Sequence, residues 1–155
     1  MRKHMTRELR RSAGSELPWL DVETVAEVQL TSEDAAHPIE SALRPAAGGW
    51  RAAEPGDQTI RFIFDRPQRI RRIWLNFVES TTQRTHQYVL RWSSNRGESF
   101  REIVRQQWNF SPPDSTQEIE NYSVDLDGVT TLELQITPDI GGRATCASLA
   151  EMRLA

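Results

Sequence analysis

Side chains able to do chemistry are few and scattered in this sequence. It holds three histidines, His4, His37 and His86, and one cysteine, Cys146. It contains no Gly-x-Ser-x-Gly elbow, no His-Glu-x-x-His zinc motif and no glycine-rich phosphate loop. His4 lies in a basic N-terminal stretch, and His37, next to Pro38, reads as the cap of a short helix. "DLDG" at 125–128 has a calcium-loop flavour, but Asp127-Gly128 reads as a tight hairpin turn. Enzyme chemistry therefore has little support, and what remains are groups that bind. Arg84, His86, Asn109, Phe110 and Arg143 offer an aromatic face, two guanidiniums, an amide and an imidazole. Trp108 shares the parity of Val104 and Gln106 and reads as a roof over the core. Phe110, just before Pro112-Pro113, reads as a surface aromatic.

Such groups need a rigid frame, and the chain supplies alternating apolar runs divided by turn signals, the pattern of an all-β sandwich. Eight strands are expected, at 23–30, 58–65, 69–78, 86–94, 99–107, 117–126, 130–137 and 146–155. Within them Ile60, Phe62 and Phe64 share one face, as do Ile73, Leu75 and Phe77, and Tyr88, Leu90 and Trp92. "DRPQ" (65–68), "SNRGES" (94–99) and "DLDGVT" (125–130) read as tight connections of the hairpin type. Between these strands only 33–43 reads as helical, with Pro38 at its first position. If every strand reverses, the long connections 31–57, 79–85, 108–116 and 138–145 all emerge at one end, a common way to build a binding surface. The five candidate residues fall in or beside these connections.

The 155 residues suit one domain, read as a basic extension over 1–22 and a folded unit over 23–155. Residues 1–11 carry a net charge of +4; the whole chain is −3, so the remainder is −7. An acidic body suits a phosphate backbone poorly and makes nucleic acid an unfavoured partner. The basic start is expected to be a solvated tail with a short helix from Thr6 to Arg11. No apolar run approaches the roughly 18 residues of a membrane span. "MRKHMTRELRRSAGSELPW" lacks the apolar stretch of a secretory signal, so a cytoplasmic location is expected, in keeping with a single cysteine.

Residues 30–77 resemble the discoidin, or coagulation-factor type C, family. Ser-Glu-Asp and His-Pro-Ile-Glu lead to a Gly-rich loop ending in Trp50, followed by "PGDQTIRFIFDRP" and "IRRIWLNF". "YVLRWSSNRGESFREI" (88–103) is similar to the family's hairpin, and "WRAA" (50–53) resembles a repair scaffold of the same fold. The resemblance implies an antiparallel, eight-stranded jelly-roll β-sandwich of galactose-binding-domain-like type. It departs from the family at Arg44-Pro45-Ala46-Ala47-Gly48-Gly49, which offers no side-chain oxygen, so no structural calcium and no other cofactor is expected. The implied function is a non-catalytic binding module. A glycan held by the aromatic, Arg and His groups of the long loops is the first expectation, an intracellular protein-interaction or scaffold domain the second, and DNA-nick binding the third.

Overall fold

The computed structural model describes residues 18–155. The expected tail, with its helix at Thr6 to Arg11, lies outside the described residues, apart from its last few positions. There Leu20 donates its N–H to the Leu154 carbonyl at 2.7 Å, and Val22 is buried.

Two 21-residue strands organise the fold, β3 (Gln58–Val78) and β6 (Gln117–Thr137). They pair antiparallel from Gln58↔Ile136 to Val78↔Gln117. Over the first half of β3, this ladder is flanked by β1 (Ala26–Leu30) on one side. On the other side lie β4 (Arg84–Ser93) and then β5 (Arg101–Phe110), giving the order β1-β3-β6-β4-β5. Over the second half, β8 (Glu151–Leu154) joins β3 instead. A separate ladder joins β2 (Trp50–Pro55) to β7 (Cys146–Leu149). The result is an antiparallel jelly-roll sandwich with the inward faces of both layers packed on one core.

The described residues form eight strands, the number expected, but the division differs. "DRPQ" and "DLDGVT" are not hairpins; the chain runs straight through both, and each pair of expected strands is one strand. Proline and glycine do other work here. The ladder loses regular pairing between Ile63 and Gln68, where Pro67 has no N–H to give, and Gly128 takes φ +70° on the facing strand. From Ile63↔Thr131 to Ile73↔Tyr122, β3 advances ten residues and β6 nine. That one extra residue turns the inward face of β3 from Ile60, Phe62 and Phe64 to Ile73, Leu75 and Phe77, all buried.

The expected helix at 33–43 shrinks to one turn, Glu40–Leu43, preceded in the chain by another at Val22–Val25. Pro38 lies before this turn, its carbonyl accepting the Ser41 N–H at 3.0 Å. His37 is not the cap. Glu33 accepts the Ile39 N–H at 2.9 Å, while His37 Nδ1 meets Asp34 Oδ2 at 2.8 Å. A carboxylate satisfies an orphan helix N–H better than a neutral ring.

Candidate functional site

The long connections do gather at one end. Glu79 N–H donates to the Thr116 carbonyl and Ile140 N–H to the Thr85 carbonyl, both at 2.8 Å. Arg143 Nη1 donates to the Gln83 carbonyl at 2.8 Å, and Gly56 N–H donates to the Thr145 carbonyl at 3.2 Å. Two carboxylates staple the loops. Asp139 accepts the N–H groups of Thr85 and Gly141 (both 3.3 Å) and Arg143 (3.2 Å). Glu79 Oε2 accepts from the N–H of Thr81 (3.1 Å) and Thr82 (3.3 Å) and from the Thr81 hydroxyl (3.2 Å). Burial pushes both carboxyls up, but these donors, with Arg84 beside Glu79 and Arg143 beside Asp139, outweigh it and hold each below its ordinary range.

Three of the five candidate residues are corrected from surface to interior. β5 does not end at residue 107 but runs through Phe110, so the parity that turns Trp108 inward also turns Phe110 inward. Phe110 is 0% exposed, with its ring 4.9 Å from that of His86 in an edge-to-face contact. His86 is 2% exposed and lies across β4–β5 from Trp108. Its Nε2 meets Glu118 Oε1 at 2.6 Å. Trp108, expected in the core, is only half-buried, with Nε1 enclosed and without a hydrogen-bond partner among the described residues.

Arg84 is 5% exposed. It donates to the Cys146 carbonyl at 2.8 Å and to Ser148 Oγ at 3.2 Å. Its Nε lies 3.0 Å from Glu79 Oε1, near enough for charge attraction although the N–H is not aimed at the oxygen. Burial lowers its pKa, Glu79 opposes that, and the nearby Arg51 guanidinium lowers it further. Asn109 and Arg143 do reach solvent. Asn109 Oδ1 accepts the Thr85 hydroxyl at 2.9 Å.

None of the five lines the cleft at this end, a space of about 230 Å³. One wall is the β2–β7 ladder with its flanks: Gly48, Trp50 and Arg51 against Ser148, Leu149 and Ala150. The other wall is Val78, Glu79, Ser80 and Thr81 at the end of β3, and His37 closes the rim. Alternation along β2 sends Trp50 and Ala52 into the core and Arg51 outward, directly opposite Ser148. Trp50 is 1% exposed and bonds the Ser32 carbonyl through its indole N–H at 3.1 Å, so it supports the cleft from below. Gly49 takes φ +81°, and a Cβ there would sit 2.8 Å from the Leu149 carbonyl oxygen; only glycine lets the two strands close the wall. Sequence reasoning missed Arg51 because β2 was not recognised, although the Trp-Arg-Ala-Ala alternation was a usable signal.

No protein-family model matches the sequence, and no curated protein matches it. Solved structures do. The family 32 carbohydrate-binding module of Clostridium perfringens NanJ, in complex with galactose, superposes with a TM-score of 0.65 at 13% identity, over 88% of this chain and 96% of that one. Another Clostridium perfringens family 32 module, in complex with GalNAc-β-1,3-galactose, gives 0.65 at 19% identity, over 88% and 99%. Reduced XRCC1 bound to the DNA polymerase β catalytic domain gives 0.64 at 14% identity, over 89% and 98%. The chain thus has the galactose-binding-like, discoidin-type jelly roll of these modules; at such identities the likeness is one of fold.

Proposed function

We propose that this chain is a non-catalytic carbohydrate-binding module that takes a sugar in the cleft between the β2–β7 ladder and residues 78–81. The observation carrying the reading is the cleft itself: a ring-sized concavity, built where two of the long connections, 31–57 and 79–85, meet the β2–β7 ladder, with fixed polar groups over a rigid core. Solved modules of the same fold that hold galactose and GalNAc-β-1,3-galactose support it. Among the described residues no three His, Cys, Asp or Glu side chains cluster as metal ligands, and the cleft carboxylate Glu79 spends its oxygens on loop N–H groups and Arg84. The groups facing the cleft are suited to holding a ligand.

A glycan array followed by ¹⁵N chemical-shift mapping tests this. Shifts confined to residues 48–51, 78–81 and 148–150 are expected, and Ser80→Trp, which fills the cleft from an exposed position, should abolish them. Perturbation elsewhere, or binding that survives Ser80→Trp, would overturn the site.

One observation favours a second reading, a protein-interaction domain. On the outer face of the second layer, Ile119 (51% exposed), paired with Asn76, lies diagonal to both Val78 (42% exposed) and half-buried Trp74. The XRCC1 complex with a polymerase domain shows the same fold in a protein–protein assembly. Ile119→Arg should leave glycan binding intact and weaken any protein partner.

A further inference from the structure

The groups facing the cleft point to the class of sugar. We infer that the cleft selects a sugar bearing a carboxylate, which pairs with Arg51 while a ring hydroxyl donates to His37 Nε2. This rests on the glycan reading above and narrows it.

Arg51 is exposed on the cleft wall and has no charged partner among the described residues. Behind the wall is a second guanidinium. Ser148, facing Arg51 across the ladder, accepts from Arg84 Nη2 at 3.2 Å. The only acidic residue on the wall among the described residues, Glu79, offsets Arg84 at 3.0 Å and turns its other oxygen to the Thr81 and Thr82 N–H groups. That leaves Arg51 as the charge the cleft offers a ligand, and a guanidinium fork matches a carboxylate in geometry as well as sign. The Arg51 charge also disfavours the charged form of Arg84, so an anion placed at Arg51 offsets that repulsion.

His37 supplies the orienting contact. Its Nδ1 is engaged by Asp34 at 2.8 Å, which leaves Nε2 as an acceptor in the neutral ring, suited to a hydroxyl hydrogen. Asp34 is not part of the cleft lining. Neutral-sugar recognition commonly relies on an exposed Trp, Tyr or Phe platform, and the cleft has none: Trp50 is buried, His37 is the other ring, and the remaining apolar surface is aliphatic. Affinity must come from charge and hydrogen bonds, and the charge on offer is positive.

The test pairs sugars that differ only in oxidation at C6: galactose with galacturonate, glucose with glucuronate, mannose with mannuronate. Each is titrated into the ¹⁵N-labelled domain at low salt, following the backbone and the Arg51 Nε–Hε signal. At least one acid should bind in the cleft about fivefold or more tightly than its neutral partner, shifting Arg51 Nε–Hε. That preference should vanish in Arg51→Gln, shrink toward unity in about 1 M salt, and survive Arg105→Gln on the outer face of β5. Sodium acetate at equal concentration should not reproduce the cleft shifts, since the hydroxyl contact is missing. Equal binding of acid and neutral sugar in every pair, or a preference unchanged by Arg51→Gln, overturns the inference and leaves the glycan reading standing. If acetate alone reproduces the shifts, the cleft is an anion site without sugar selectivity and the inference fails. If none of the six sugars perturbs the cleft, both readings fall.

Discussion

His86 Nε2 and Glu118 Oε1 lie 2.6 Å apart, with both side chains almost wholly enclosed between the two layers of the sandwich. The imidazole comes from β4 in one layer and the carboxylate from the half of β6 in the other, so the pair is a polar tie across the core. Phe77 and Phe110 both pack edge-to-face on the imidazole, at 4.7 and 4.9 Å. The residues with the most recognisable binding chemistry thus hold the frame together, and the cleft is built from less conspicuous ones.

Phe110→Ala should destabilise the domain by about 3–5 kcal/mol, the usual cost of deleting a fully buried aromatic. Trp108→Ala, at a half-buried position, should cost less, about 2 kcal/mol. Urea unfolding of both variants ranks them; the reverse order would contradict the interior placement of Phe110.

Acid should loosen the loop end first. Glu79 and Asp139 are held below the ordinary carboxylate range, so their contribution is complete above about pH 5 and is lost as pH falls through their lowered values. Glu79→Gln removes its share of that acid sensitivity. It also leaves Arg84 buried without its anion, at a cost of about 3 kcal/mol near neutrality. Unfolding midpoints from pH 7 down to 2.5 test this: wild type and variant should converge as pH falls, and parallel curves would refute it.

Gly49→Ala should be far worse than Gly56→Ala. Both take positive φ, which costs about 1–2 kcal/mol for alanine. At Gly56 nothing lies within 4 Å, whereas at Gly49 the new methyl meets backbone atoms at 2.8 and 2.9 Å that cannot swing aside. We expect an added loss of about 2 kcal/mol or more at Gly49, with β2 displaced from β7. Comparable melting temperatures for the two variants would show that the wall yields more easily than its geometry implies.

Much of the frame was legible in the sequence. Alternation picks out Ile60, Phe62, Phe64, Ile73, Leu75 and Phe77, all buried, and the spacing of connections places the long ones together. The site was less legible for physical reasons. Arg84 and His86 share the parity of Tyr88 and Leu90, so the signal for their burial was present, but a charged residue near a strand end invites a surface reading. Phe110 was misread because Pro112-Pro113 suggested that the strand had already ended. "DRPQ" and "DLDG" were misread because a bend within a ladder and a hairpin call on the same residues: a missing N–H at Pro67 and positive φ at Gly128. Arg51 gains its meaning from Ser148 and Arg84, partners far along the chain that no local pattern announces.

The pairing of β3 with β6 on both sides of its bend has a consequence for how this domain comes apart. Each strand contributes one half to each layer, and the two are bonded to each other on both sides of the bend. Neither layer owns a private set of central strands, so neither can melt while the other persists. Opening one end of the ladder exposes core aromatics shared by both. Loss of structure should therefore be a single all-or-none event, and slow amide exchange at Phe62 and at Leu75, on opposite sides of the bend, should report the same opening free energy.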